Sequence, residues 1–161
     1  MNQLLEKISS YHLFNYLLPG VIFVILSKQI TSYSFIQDDL ILGFFVYYFI
    51  GLTISRVGSL IFEPLLKKIS FVKFAKYTEF LVASKKDFQI EILSETNNMY
   101  RSLLSMTFLL LALKFYELIS YHLQILQSDR IYILLLFLLI IFLTSYKKQT
   151  SYISKRISAN N

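Results

Sequence analysis

Long apolar stretches are the feature that most constrains what this chain can fold into. Four of them, at residues 12–30, 40–61, 102–121 and 131–146, contain few charged side chains. Each approaches the length of about 20 helical residues that crosses a hydrocarbon core of roughly 30 Å. A soluble domain of 161 residues with 55% hydrophobic content would leave apolar side chains in water, whereas lipid accommodates them. The stretches therefore predict four transmembrane segments.

These segments are predicted to be helices. Peptide groups in lipid must be hydrogen-bonded within the protein, which leaves α-helices or closed β-barrels. Barrel strands alternate polar and apolar residues, but the run at 134–143, LLLFLLIIFL, shows no alternation. We therefore expect an all-α membrane protein that forms a single domain over residues 1–161. It should have four transmembrane helices and a cytoplasmic helical insertion between the second and third, at about 62–99.

Basic residues indicate how the helices are oriented. Most of the 16 Lys and Arg residues lie between the second and third stretches or near the termini. The members of this set are Lys7, Arg56, Lys67, Lys68, Lys73, Lys76, Lys85, Lys86, Arg101, Lys147, Lys148, Lys155 and Arg156. Cytoplasmic segments collect Lys and Arg, and an even number of spans puts both termini and the insertion on one side. Abundant Ile, Lys, Phe, Tyr and Asn favour a bacterial source, so the prediction is a multi-pass inner-membrane protein with cytoplasmic N- and C-termini.

The remaining composition bounds the chemistry. The formal net charge is +6, which is typical of cytoplasmic loops beside anionic lipid, so the lipid bilayer is the predicted partner and nucleic acid is disfavoured. Cysteine is absent, which excludes thiolate catalysis and thiolate metal sites. The two histidines, His12 and His122, fall near opposite membrane faces, and no nucleotide-binding, metalloprotease or serine-hydrolase motif occurs. We therefore expect a protein that is not an enzyme and has no cofactor and no metal.

The predicted insertion contains two helical patterns. From Phe71 onward, apolar residues recur on one helical face with lysines opposite, which suits a helix on the inner leaflet or one packed against its own bundle or a sister subunit. Ser84 followed by Asp87 resembles a capping box. Since no Gly or Pro follows until the third stretch ends, we expect one long helix from about residue 85 to 121. Its first part would project roughly 20 Å from the membrane.

A polar group at the inner end of the second and third spans is the first candidate site. Carboxylate, amide, phenol and guanidinium groups there could form a hydrogen-bonded cluster, because Arg is suited to bidentate carboxylate pairing. The cluster could clamp two helices or recognise a lipid phosphate or another ligand; alternatively, Arg and Tyr are only reaching the interface from nearby positions. Its candidate members are Arg56, Glu63, Asn97, Asn98, Tyr100 and Arg101.

Two further groups of charged residues require an explanation. Asp87, Glu91 and Glu95 recur every four residues and would form an acidic stripe on the long helix, either solvated or facing a partner. Lys114 and Glu117 lie within the third span, where ionisable residues are costly. Their spacing of three allows them to neutralise each other on one helix face; alternatively, they line a polar pathway in an oligomer.

Small residues in the first two spans indicate helix packing. Pro19 and Gly20 lie inside the first span, where proline removes a backbone hydrogen bond and favours a kink. Gly51, Ser55 and Gly58 recur along the second span, and such residues let helix backbones approach closely. The approach could be within one chain or between chains.

Three phrases resemble those of a known class of protein: YHLFNYLLPG at 11–20, SRVGSLIFEPLLKK at 55–68 and KKDFQIEILSETNNMYRS at 85–102. The chain resembles small four-span bacterial membrane proteins found as membrane components of antiphage defence systems. That resemblance implies an oligomeric membrane sensor or effector, a homo-oligomer that works with a cytoplasmic protein partner. A channel or small transporter subunit, motivated by Lys114 and Glu117, and a membrane anchor or scaffold are the alternatives.

Overall fold

The computed structural model describes residues 12–123 and 128–158, and in these ranges all regular structure is helical. Four helices within them are long and apolar enough to cross a membrane: α1 (Leu13–Ile30), α2 (Leu40–Lys68), α4 (Gln89–His122) and α5 (Arg130–Ser158). The shorter α3 (Tyr77–Lys86) lies between α2 and α4. The prediction of an all-helical chain with four span-length helices is confirmed at this level. Lys7 lies outside the described residues.

The observed helices extend beyond the apolar stretches that predicted them. The second was expected to end at residue 61 and the fourth at 146, but α2 continues to Lys68 and α5 to Ser158. Residues 147–158 contain no Gly or Pro and include the good helix formers Lys, Gln and Arg. Helix propensity therefore continues α5 after hydrophobicity has ended.

Each of the two prolines follows a wider, π-helical turn. Leu13–Leu17 is π-helical, with the N–H of Leu18 donating to the carbonyl of Leu13, and Pro19 comes next. Gly58–Phe62 is also π-helical, with the N–H of Glu63 donating to the carbonyl of Gly58, and Pro64 comes next. Because proline cannot donate to the preceding turn and its ring crowds that turn, the wider turn lets the helix continue past it.

The core lies between α1, α2 and α4. Ile54 of α2 packs with Met106 and Leu110 of α4, and Val24 of α1 is 1% exposed. α5 is peripheral, since 6% of its most apolar window is buried, against 33% in α1 and α2. Ile141 is the residue of α5 that is buried. The helices α1, α2 and α4 therefore form a bundle against which α5 leans.

Polarity in this bundle is inverted relative to a soluble protein. Asn15, Ser102 and Ser105 are at most 2% exposed, whereas Leu40 and Ile41 are at least 70% exposed. Without a hydrophobic drive between helices in lipid, small polar residues favour close helix contacts and apolar residues face outward. This distribution is the one expected of a multi-pass membrane protein.

The prediction of a helix that begins at Phe71 is wrong. Ser70 has φ 59°, in the left-handed region, and the N–H groups of Ser70 and Phe71 donate to the carbonyls of Lys67 and Leu66. These two bonds form a Schellman motif, which terminates α2. The chain then has no helix until Tyr77. The apolar periodicity from Phe71 therefore spans a helix end, a connection and the start of α3.

The predicted capping box at Ser84 is also wrong. Ser84 lies within α3, where its hydroxyl donates to the carbonyl of Leu81. Asp87 ends α3 with extended backbone, and its carboxylate accepts the N–H of Gln89, the first residue of α4. An Asp side chain can hydrogen-bond a backbone N–H two residues on, which stabilises a turn in place of a continuous helix. The long helix therefore begins at Gln89 and ends at His122.

Candidate functional site

A buried carboxylate, Glu63, gathers cations from three helices at one end of the bundle. Its residue is 8% exposed, although it lies close to the end of α2. Nη1 of Arg101 in α4 lies 2.6 Å from Oε2, and Nζ of Lys67 in α2 lies 2.9 Å from Oε1. Nζ of Lys148 in α5 lies 3.8 Å from Oε1. We call Glu63, Lys67, Arg101, Lys148 and the adjoining Ser59 the Glu63 cluster.

Lys148 is held mainly by Ser59. Its Nζ donates to the Ser59 carbonyl at 2.6 Å and to the Ser59 hydroxyl at 2.7 Å. The N–H of Glu63 goes to Gly58, and residue 64, the donor a π-helical turn would bring to Ser59, is proline. Pro64 therefore deprives the Ser59 carbonyl of a donor within its own helix, and the Lys148 ammonium supplies one.

Gly58 sets the distance between α2 and α4 at this cluster. A Cβ built at Gly58 would lie 2.6 Å from the Ser105 hydroxyl and 3.1 Å from Cγ of Arg101. A larger residue would push α4 away and lengthen the contact between Arg101 and Glu63. At this position the small-residue pattern of α2 therefore allows two helices of the same chain to pack closely.

The residues predicted at this end are only partly brought together. Arg101 pairs with Glu63, whereas Arg56 is half-buried about two turns earlier on α2. Asn97 and Tyr100 are exposed and Asn98 is half-buried, and none of these three joins the ion pairs.

Sequence reasoning missed Lys148 and Ser59. Lys148 was counted only as a basic residue of the tail, since nothing in the sequence states which face of α5 meets α2. Pro64 predicts only that the carbonyl four residues earlier, that of Leu60, lacks its donor in a regular α-helix; the shift to Ser59 depends on the π-helical turn, which the sequence does not signal. Lys67 was recognisable as a partner, because it lies four residues after Glu63 on one helix.

The opposite end of the bundle contains the predicted pair Lys114 and Glu117. Nζ of Lys114 lies 2.8 Å from Oε2 of Glu117, and Oε1 accepts the backbone N–H of Ser32 at 2.6 Å. The Lys114 side chain is 56% exposed. Glu117 therefore joins α4 to the connection that follows α1, and a pocket of about 370 Å³ lies beside it.

The acidic stripe is shorter than predicted. Glu91 and Glu95 lie four residues apart on α4 and are half-buried. Asp87 lies before the helix and binds Gln89 instead. Its inclusion in the stripe was wrong, because the turn between α3 and α4 interrupts the helical spacing.

Glycines form the crossing of α1 and α2. A Cβ built at Gly20 would overlap the carbonyl oxygen of Tyr47, and one built at Gly51 would overlap the carbonyl oxygen of Tyr16. Each built Cβ also lies 3.0 Å from the backbone nitrogen of the other glycine. The two backbones are therefore in reciprocal contact.

The neighbours of this crossing complete the small-residue pattern. Pro19 and Ser55 are buried beside it, and a π-helical turn precedes Pro19 where a kink was expected. The pattern predicted in α2 thus meets two helices of the same chain, since Gly51 contacts α1 and Gly58 contacts α4.

The ion pairs of the Glu63 cluster can join three helices, and its excess of cations around one carboxylate can bind an anion. Within residues 12–123 and 128–158, no three His, Asp or Glu side chains are close enough to hold a metal ion. No protein family, curated protein or solved structure matches this chain. The resemblance to antiphage membrane proteins therefore remains a hypothesis.

Proposed function

We propose that this chain is a bacterial inner-membrane sensor or effector that assembles with copies of itself and acts with a cytoplasmic protein partner. The resemblance to membrane components of antiphage defence systems supplies the biological setting of the proposal. In it, residues 69–88 and the first turns of α4 are cytoplasmic and receive the partner, and the four long helices cross the inner membrane.

The observation that carries this proposal is the unbroken length of α4. Its 34 residues correspond to about 50 Å at 1.5 Å per residue, which exceeds a hydrocarbon core of roughly 30 Å. One rigid element thus runs from the insertion into the bundle core, where Met106 and Leu110 are buried. Displacement of its exposed end would be transmitted to the spans.

The Glu63 cluster supports the same function because it links α4 to α2 and α5. Arg101 lies where α4 approaches the end of α2, and its ion pair with Glu63 joins the two helices on either side of the insertion. Lys148 adds α5 to the same cluster. A partner that moved α4 would therefore act on α2 and α5 together.

The exposed face of α5 supports self-assembly. Large apolar residues along it, including Leu135, Leu139 and Leu143, are at least 56% exposed. In a bilayer this face is free to pack against α5 of a second copy, with lipid as its alternative neighbour.

The test interrupts helix α4 at a position outside the bundle core. Asn98→Pro removes one backbone hydrogen bond of α4 and disfavours the helix by about 3 kcal/mol, four residues before buried Ser102. Asn98→Ala is the matched control, since it removes the same side chain and retains the helix. Each variant is produced in bacteria with its genomic neighbours, and phage plating efficiency and membrane potential are measured at equal protein level in the membrane.

We expect Asn98→Pro to abolish protection and any depolarisation on infection, and Asn98→Ala to retain both. Equal behaviour of the two variants would contradict the transmission of movement along α4, and a membrane anchor or scaffold would then be the better function. Lys114→Ala belongs in the same series. A change in ion flux with that variant alone would favour the channel subunit.

A further inference from the structure

We propose that the Glu63 cluster is a binding site for a phosphate group, and that its occupant is the headgroup of an anionic phospholipid. This inference goes beyond the proposed function and stands independently of it, because it requires neither a partner protein nor self-assembly.

The Glu63 cluster carries an excess of positive charge. Three cations, Lys67, Arg101 and Lys148, lie within 4.0 Å of a single carboxylate, so these groups together carry two excess positive charges. Arg56 lies close enough to act electrostatically on Lys148 and adds a further cation. Like charges held close together repel one another, and a bound anion relieves that repulsion.

The cluster also has more donors than its own acceptors use. Each ammonium has three N–H groups and a guanidinium has five, whereas Glu63 accepts one from Lys67 and one from Arg101, and Ser59 accepts two from Lys148. Nε of Arg101 is buried and has no hydrogen-bond partner among the described residues. Lys67 and Lys148 side chains are 42% and 26% exposed, so an anion can reach them from outside the bundle. Phosphate oxygens suit such a mixture of guanidinium and ammonium donors.

The surface beside the cluster distinguishes a lipid from a soluble phosphate. On α4, Leu104 and Phe108 follow Arg101 at spacings of three and seven, so they lie on the same face of the helix, and they are 45% and 52% exposed. A free phosphate has no use for an apolar ridge, whereas the acyl chains of a phospholipid cover one. Cations beside apolar helix surface at the end of a span are placed where headgroup phosphates lie.

The test measures binding of headgroup-labelled phosphatidylglycerol to the full-length protein in a neutral detergent, with labelled phosphatidylcholine for comparison. The cluster variants are Arg56→Gln with Lys67→Gln, which removes two cations, and Glu63→Gln, which removes the competing carboxylate. Lys155→Gln is the matched control, because Lys155 is an exposed lysine of α5 outside the cluster. Helix content and monodispersity of each variant are checked before binding.

We expect the double variant to weaken phosphatidylglycerol binding by at least tenfold, Glu63→Gln to strengthen it, and Lys155→Gln to leave it unchanged. Phosphatidylcholine should bind more weakly and be insensitive to all the variants. Equal affinity for the two lipids, or equal loss in the double variant and the control, would overturn the proposal. Inorganic phosphate is added as a competitor. Displacement of the lipid at micromolar phosphate would retain the phosphate chemistry but overturn the lipid as its source.

Discussion

At the scale of single residues, the absence of a side chain decides how closely these helices meet. Gly20 and Gly51 contact each other's helix through backbone atoms, and the obstruction at each position is a carbonyl oxygen. A carbonyl cannot rotate aside as a flexible side chain can, so a larger residue must separate the helices. The glycines are therefore required by the approach of the backbones rather than by an unusual conformation, since neither has positive φ.

We expect Gly20→Ala and Gly51→Ala each to destabilise the bundle by about 1–3 kcal/mol, the range for overpacking in a close-packed interior. Gly43→Ala is the control, because a Cβ there would lie 3.4 Å from the Tyr47 ring, an ordinary contact. Unfolding in a denaturing detergent, followed by helix content, gives the free energies. Equal stability of Gly20→Ala and Gly43→Ala would contradict the close crossing.

Two contacts between charged residues could be anticipated from the sequence. The contact between Lys114 and Glu117 follows from a separation of three on one helix, and Arg101 with Glu63 follows from opposite charges at adjoining helix ends. Asp87 was misassigned because its carboxylate forms a turn that periodicity does not represent. Lys148 was missed since its role depends on how α5 lies against α2, which is a tertiary property.

At the scale of elements, proline in α2 creates an attachment point for α5. Pro64 leaves the Ser59 carbonyl without a donor in its own helix, and Lys148 occupies it. A further contact between these helices is apolar, that of Phe49 with Phe142 at 5.8 Å between ring centroids. Because α2 and α5 meet at Phe49 and Phe142 and again at Ser59 and Lys148, the two helices run in the same direction.

Lys148→Met should loosen α5 while preserving the length and apolar stem of the side chain. The chain contains no cysteine, so Phe49→Cys and Phe142→Cys introduce one pair whose disulfide reports the contact of α2 with α5. Two charge-assisted hydrogen bonds are lost, each of about 1.5–3 kcal/mol, so we expect disulfide formation to slow by at least tenfold. Lys155→Met should not affect the rate. An unchanged rate with Lys148→Met would mean that apolar packing alone holds α5.

The elements themselves were predictable wherever apolar length was the signal. Residues 12–30 correspond to α1, and the other three stretches each lie inside one observed helix. The region from 62 to 88 was not predictable from periodicity, because a proline ordinarily ends or kinks a helix, whereas a π-helical turn carries α2 past Pro64. The end of α2 depends on Ser70 adopting a left-handed conformation, for which glycine is the usual signal.

At the scale of the whole molecule, the two ends differ in charge. The Glu63 cluster and the lysines of the insertion lie at one end, whereas the connection from residue 31 to 39 carries Asp38 and Asp39 at the other. The described helices therefore form a bundle with a basic end and a more acidic end. Because positive charge is retained on the cytoplasmic side of membrane proteins, we expect the basic end to face the cytoplasm.

The absence of native cysteine allows this orientation to be measured on the intact protein. Asp38→Cys lies at the end opposite the Glu63 cluster, while Lys85→Cys and Ser151→Cys lie in α3 and in the last turns of α5, and all three positions are exposed. In intact bacterial cells with a permeabilised outer membrane, we expect a membrane-impermeant maleimide to label Asp38→Cys alone. The other two variants should react only after the inner membrane is disrupted. Leu110→Cys, buried in the core, is the control for leakage into the bundle. Labelling of Lys85→Cys and Ser151→Cys without Asp38→Cys would show the reverse orientation. Labelling of only one of Lys85→Cys and Ser151→Cys would contradict an even number of spans between residues 85 and 151.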